Sequence, residues 1–217
     1  SRLRITGSLV SDSSDFLGVV LALDGTNNSD SSTDVVWAKH QQSARAATTG
    51  WFISQDTRGS TTSGFNPTSH TEKLFKLHAL DSGASANRNY KVSIVDIKVP
   101  TDNFNNFGTF TVEIRKGSDT DNSPIALERY SGCNLNPSSA NYIARKIGDR
   151  YYDYDSTNKV VREHGDNDNR SNILRVEVSS VVSDGGAAGL NPYGVFGPAV
   201  PRTHEITQAM ANSIIAA

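Results

Sequence analysis

A single cysteine, Cys133, is all that 217 residues contain, so an internal disulfide and a thiolate metal cluster are both excluded. Basic residues are not concentrated either. The chain has 21 Lys and Arg against 23 Asp and Glu, a net charge of -2, and no basic run is dense enough to follow a phosphate backbone, so no nucleic-acid partner is expected. No stretch approaches the roughly 18 to 20 apolar residues of a membrane-spanning helix, and no charged segment followed by an apolar run opens the chain. No membrane partner is expected. Apolar residues make up only 36 %, while Ser, Thr, Asn, Asp and Gly abound, a balance that predicts exposed strands and long polar loops. The length still suffices for one large domain or two small ones with a sizeable core.

Catalytic signatures are missing as well. There is no G-x-S-x-G elbow for a nucleophile. The five histidines, His40, His70, His78, His164 and His204, are scattered, without H-E-x-x-H or an i, i+4 pair to aim two imidazoles at one metal. The run Gly185-Gly186-Ala187-Ala188-Gly189 follows a strand pattern but lacks G-x-G-x-x-G spacing and a Walker Lys-Ser/Thr, so it reads as a flexible turn. The acidic residues Asp153, Asp155, Asp166 and Asp168 are the most tempting, because Glu177 closes a twelve-residue frame from Asp166 as in a calcium loop. Arg170 and Ser171 break that frame where the loop needs an oxygen ligand and a glycine. Two carboxylates for glycoside hydrolysis depend on a spatial separation that no spacing here encodes. The sequence therefore predicts no enzyme, with no catalytic, cofactor-binding or metal-ligating residue.

What is present is periodicity. Phe75, Leu77 and Ala79 alternate with Lys76 and His78; Phe110, Val112 and Ile114 with Thr111, Glu113 and Arg115; Leu174, Val176 and Val178 with Arg175 and Glu177. Period two predicts half-buried strands. Tyr90, Val92 and Ile94 alternate too, but the apolar phase then slips to Val95, Ile97 and Val99, which predicts a bulge or a strand buried on both faces. One helix is well specified over about 137–147: Asn136 as cap, Pro137 in the first turn, Ala140, Ile143, Ala144 and Ile147 as the apolar stripe, and Gly148 as the stop. A second, weaker helical pattern covers Ile206 to Ile214. Residues 1–71 carry short apolar bursts, Leu17 to Leu23 and Val35 to Trp37, between polar turns, and the Gly-, Ser- and Thr-rich stretch Thr57 to Thr71 marks a candidate seam. The expectation is an α+β chain dominated by mixed sheets, with a loop-rich part over 1–71, a candidate protruding domain, and a second part over 72–217.

Three smaller features complete the inventory. The sequons at Asn27 and Asn169 are what an Asn- and Ser-rich chain contains by chance. Cys133 lacks any partner and reads as a small buried side chain. Tyr151, Tyr152 and Tyr154, with no basic groove around them, point to packing or a protein contact rather than to stacked bases.

The segment Asn134-Leu135-Asn136-Pro137-Ser138-Ser139-Ala140-Asn141-Tyr142-Ile143-Ala144-Arg145-Lys146-Ile147-Gly148-Asp149 closely resembles a signature stretch of contractile bacteriophage tail sheath proteins. The order around it agrees, since Gly108 to Arg115 leads through Asp119-Thr120-Asp121 to Leu127-Glu128-Arg129 as in that family. His78 to Gly83 followed by Ala86-Asn87-Arg88 resembles a further sheath segment, without the Trp that the family often carries near Ala86. The likeness spans about residues 72 to 180.

It implies a structural subunit that wraps an inner tail tube in an extended lattice and contracts to drive genome delivery. It also implies other sheath subunits and the tube as partners, a place in the virion tail after assembly in the host cytoplasm, and no cofactor. With Ser1 in place of Met, and no C-terminal sheath domain after Pro201, the chain is expected to be an internal fragment that stays monomeric alone. The competing classes are a β-rich glycan- or receptor-binding module of a fibre or adhesin, whose mark would be exposed aromatics at loop tips, and an enzyme with two converging carboxylates.

Overall fold

The alternating segments become sheet. The computed structural model describes residues 45–59, 64–100, 104–195 and 197–203. The strands expected around Leu17 and Val35 lie outside the described residues, as does the helix expected from Ile206. In the first sheet, β1 (Ala46–Thr48) and β2 (Phe52–Ile53) follow one another along one edge of β3 (Lys73–Ser82). The other edge of β3 pairs with β9 (Leu174–Val178), all antiparallel. Strands from before residue 72 and after it thus share one sheet. The second sheet runs β4 (Tyr90–Lys98), β5 (Thr109–Lys116), β6 (Ala126–Cys133), and a separate hairpin joins β7 (Tyr151–Asp155) to β8 (Val160–His164). Four short helices complete the described part: α1 (Pro67–His70), α2 (Ser85–Asn89), α3 (Ile143–Ile147) and α4 (Ser180–Ser183). The architecture is the β-rich α+β arrangement that the sequence predicts.

The core lies between the first two sheets. Phe75 of β3 stacks on Phe52 of β2 at 4.9 Å and on Phe110 of β5 at 5.6 Å, which adds ring contact to the area that all three remove from water. Residues Ala199 to Arg202 strap the two sheets together. Ala199 exchanges two backbone hydrogen bonds with Val92 of β4, and Arg202 exchanges two with Thr48 of β1.

Three local outcomes follow from side-chain chemistry. The phase slip in β4 is a bulge: the register to β5 shifts between Val95 and Lys98, and Asp96 takes φ 53, a left-handed conformation that Asp tolerates better than most residues. β5, expected half-buried, is buried on both faces because it is the central strand. Its polar face is satisfied internally, with Arg129 pairing Glu113 at 2.7 Å and Arg115 donating to Ser93 Oγ at 3.0 Å and to both oxygens of Asp119.

The helix expected over 137–147 is much shorter, Ile143–Ile147. Residues upstream of it are turns, because Asn and Ser side chains there bond the backbone and compete with helix. Asn136 Oδ1 accepts from Ser138 N–H, Ser139 Oγ accepts from Asn141 N–H, and Asn134 bridges to Tyr142. Ala140 is accordingly exposed and leaves the stripe, whereas Ile143, Ala144 and Ile147 are buried, and Gly148 ends the helix at φ 106. The stretch Thr57 to Thr71 contains α1, capped by Asn66, whose Oδ1 accepts from Thr68 N–H.

Asp119 is the hub of the β5–β6 turn. Its side chain is closed to solvent and lies 2.7 Å from Arg115 and 2.6 Å from Lys91, and one oxygen also accepts from Ile125 N–H. The Arg115 hydrogen bonds, then Lys91, hold its carboxyl well below the usual carboxylate range. A depressed folded-state pKa contributes stability above the unfolded value of 3.8 that is lost as pH falls through the folded one. Asp119→Asn is therefore expected to be less stable than the parent at pH 7, with the gap closing below pH 3.8. Thermal melts of both proteins across that range check it; a gap independent of pH would contradict the ionic role.

Candidate functional site

The structure scatters most of the described residues that were singled out from sequence. Of the histidines, His40 and His204 lie outside the described residues, and the others sit on different elements. His70 ends α1, where its Nδ1 accepts from Asn66 N–H. His78 of β3 faces Glu177 of β9 at 2.7 Å, with Lys76 also 3.2 Å from that carboxylate. Burial, aided by the Arg175 guanidinium, pushes the His78 pKa down against the pull of Glu177. His164 of β8 stacks on Tyr151 at 4.9 Å.

The acidic residues separate as well. Asp153 and Asp155 belong to the β7–β8 hairpin, Asp166 and Asp168 to the loop after it, and Glu177 to β9, turned toward His78. Ser171, where a calcium loop wants glycine, uses its hydroxyl to donate to Glu128 Oε2 at 2.6 Å and to accept from Ile173 and Leu174 N–H. No group of three or more potential metal ligands forms among the described residues. A cavity of about 540 Å³ beside α1 and α4 holds one carboxylate, Glu72, next to Lys73. The glycine run after α4 is turn, with Gly185 at φ 79 and Gly189 at φ 74.

Cys133 closes β6 fully buried, and its thiol donates to Tyr130 O at 3.3 Å. Burial pushes its pKa up to about 11. A protonated, inaccessible thiol is unreactive, so native protein at pH 8 is expected to give no thiol titre with Ellman's reagent until denaturant is added. Rapid labelling of the native chain would contradict the burial.

Geometry does converge on one feature, the β7–β8 hairpin and the corner that holds it. The segment Asn134 to Asp149 builds the corner. Ile143, Ala144 and Ile147 anchor it in the core, Asn134 Nδ2 donates to Ser139 Oγ at 2.9 Å, and Arg145 Nη1 donates to Ser139 O at 3.1 Å. Gly148 and Asp149 then lock the hairpin root. Asp149 Oδ1 accepts from Asn167 N–H at 2.8 Å and Oδ2 from Asn167 Nδ2 at 2.9 Å, while Asn169 both accepts from Arg150 N–H and donates to Arg150 O. Arg150 adds ion pairs to Asp168 at 2.5 Å and to Glu163 at 2.7 Å; its Nε lacks hydrogen-bond geometry to the latter, so the contact is ionic only.

Compared with protein-family models, curated proteins and solved structures, the chain matches none. The reading of this surface rests on its own chemistry.

Beyond the locked root, every residue of β8 and all of β7 except Asp155 is exposed. The register Tyr152↔Glu163 and Tyr154↔Val161 puts both tyrosines, Val161 and Glu163 on one face. Tyr152 and Val161 are each 67 % exposed and Tyr154 58 %. The opposite face is occupied: Tyr151 lies under Arg175 at 4.1 Å and Arg162 pairs Asp155 at 2.7 Å. A stiffly rooted hairpin with ion-pair and ring contacts on one face and bare aromatic side chains on the other suits protein contact. The tyrosines were legible as a cluster; that two of the three share the free face depends on the β7–β8 register, which no local pattern encodes.

Proposed function

We propose that this chain is a structural part of a contractile phage tail sheath and works by contacts with neighbouring sheath subunits and the inner tube, with no catalytic step and no cofactor. The observation that carries the reading is the segment Asn134 to Asp149. It closely resembles the sheath signature stretch, and its residues here act as a brace: a buried three-residue anchor, a set of Asn and Ser turns, and a glycine that admits the next strand. A contracting lattice needs rigid bodies whose mutual contacts have two arrangements. A doubly strapped core bearing a stiffly rooted arm supplies such a body. The location that follows is the virion tail.

One observation favours a second reading, a receptor- or glycan-binding module of a fibre. Tyr152 and Tyr154 stand bare on the hairpin, and Phe104 is fully exposed on the loop before β5, the aromatic display such modules use. Immunogold electron microscopy with antibodies against this chain separates the two. Gold along the tail shaft, shortening with the tail on contraction, is the expected result, while gold confined to fibre tips would replace the sheath reading by the second one.

A further inference from the structure

We propose that His78, Arg175 and Tyr151 form an acid-released clasp, which pins the flank of the β7–β8 hairpin to the first sheet while the imidazole is neutral and lets go when the imidazole takes a proton. The clasp works whatever the chain's partners are, and so is independent of the sheath reading. The hairpin has few holds. Its root is locked by Asp149, Arg150, Asn167 and Asn169, but among the described residues no strand or helix packs broadly against it beyond the β7–β8 pairing itself. Its flank meets the first sheet through Arg175 of β9, whose guanidinium lies over the Tyr151 ring at 4.1 Å, and that ring stacks in turn on His164 of β8 at 4.9 Å. Arg175 is half-buried, and its side chain makes no hydrogen bond or ion pair among the described residues. The tyrosine ring is what holds it.

On the sheet, Arg175 stands beside His78. The β3–β9 register sets the two directly opposite each other, where Cβ atoms are about 4.5 to 5.5 Å apart and two like charges destabilise the pair. The charged groups facing the imidazole are Lys76 on its own strand and Arg175 and Glu177 on β9, while Thr48, its partner on β1, is uncharged. Asp149, which lies near Arg175, is tied to Asn167. Glu177 already meets Lys76 at 3.2 Å and the His78 ring at 2.7 Å. A proton on His78 therefore sets three cations around one carboxylate. Lys76 and His78 contact that carboxylate directly and Arg175 does not, so the repulsion falls on Arg175. The same balance pushes the imidazole pKa below its unfolded value of 6.5, through burial first and Arg175 next, against the pull of Glu177. A base held below its unfolded pKa contributes stability above that value that is lost as pH falls through it. Acid thus drives Arg175 off Tyr151 and leaves the hairpin held at its root. A two-stranded hairpin is marginal without support, so the arm that presents Tyr152 and Tyr154 loosens.

NMR of amide exchange and of the histidine rings, from about pH 8 to about pH 5 where histidine titrates, tests the clasp. Corrected for its intrinsic pH dependence, exchange in β7 and β8 is expected to speed up about tenfold as pH falls, with the midpoint of the His78 ring, while β5 stays protected. His78→Gln should keep the hairpin protected throughout, and His164→Gln should leave the response intact. Arg175→Gln should exchange fast at every pH and should raise the His78 midpoint, because the coupling between the two groups is reciprocal. Hairpin exchange that ignores pH, a response that survives His78→Gln, or one abolished by His164→Gln overturns the clasp. Loss of protection in β5 alongside the hairpin overturns it too, since the acid effect would then be global unfolding. Melting curves at about pH 8 check that each variant folds. Should His78→Gln fail to fold, Arg175→Gln still decides, because an unmoved His78 midpoint sinks the proposal.

Discussion

Ile143→Asp is expected to cost about 3 to 5 kcal/mol of stability, the loss typical of removing a buried aliphatic side chain and leaving an unpaired charge in its place. Ile143 opens α3 at 0 % exposure. The helix packs mainly on β9 and β6, one strand from each of the two large sheets, and Ile143 belongs to the apolar core, where a carboxylate would be left unsolvated. Its neighbours offer no relief. Ala144 and Ile147 are equally buried, and the nearest lysine on the helix, Lys146, is already committed to Ser131 O. Ile143→Val, which removes one methylene and no more, is expected to cost about 0.5 to 1.5 kcal/mol. Urea unfolding of both variants against the parent measures the two losses. Superimposable curves for Ile143→Asp and the parent would show that the residue is not in the core.

How far such sites were legible in the sequence depends on which force acts locally. Period two decided β3, β5 and β9, because a strand with one apolar face has a single way to bury it. The slip at Val95 was legible as a bulge for the same reason. Periodicity misjudged β5 only in its polar face: Thr111, Glu113 and Arg115 read as solvated, yet a central strand buries both faces, and the Asp119 turn that neutralises Arg115 comes from the next loop. The α3 start was misplaced because Asn136 and Pro137 are helix-start signals and turn signals at once. Bonds from Asn134 and Ser139, set by tertiary pairing with Tyr142, chose the turn.

For the candidate surface, composition flagged the tyrosines and the acids. It left open which tyrosines face outward, because that depends on the β7–β8 register.

The second large effect is expected at Gly148, where alanine should cost about 2 to 4 kcal/mol. At φ 106 and ψ 149 the residue occupies backbone space that is essentially restricted to glycine. Sterics compound the strain: a Cβ built there would lie 2.3 Å from Asn169 Cα, against backbone that cannot swing away as a side chain would. Gly148 also carries the connection in both directions, since its N–H donates to Ala144 O and its carbonyl accepts from Val176 N–H at 2.8 Å. Moving it therefore pulls on α3, on β9 and on the Asp149–Asn167 and Arg150–Asn169 bonds that lock the hairpin root. Gly132→Ala is the matched comparison. Gly132 has φ 65 but nothing within 4 Å of its added Cβ, so it should lose only the left-handed penalty of about 1 kcal/mol. Urea unfolding gives both losses, and amide exchange at Asn167 reports on the root, which should open in the Gly148 variant and stay protected in the Gly132 one. Equal losses at the two glycines, or unchanged protection at Asn167 in Gly148→Ala, would mean that the corner yields to a methyl group and does not hold the arm.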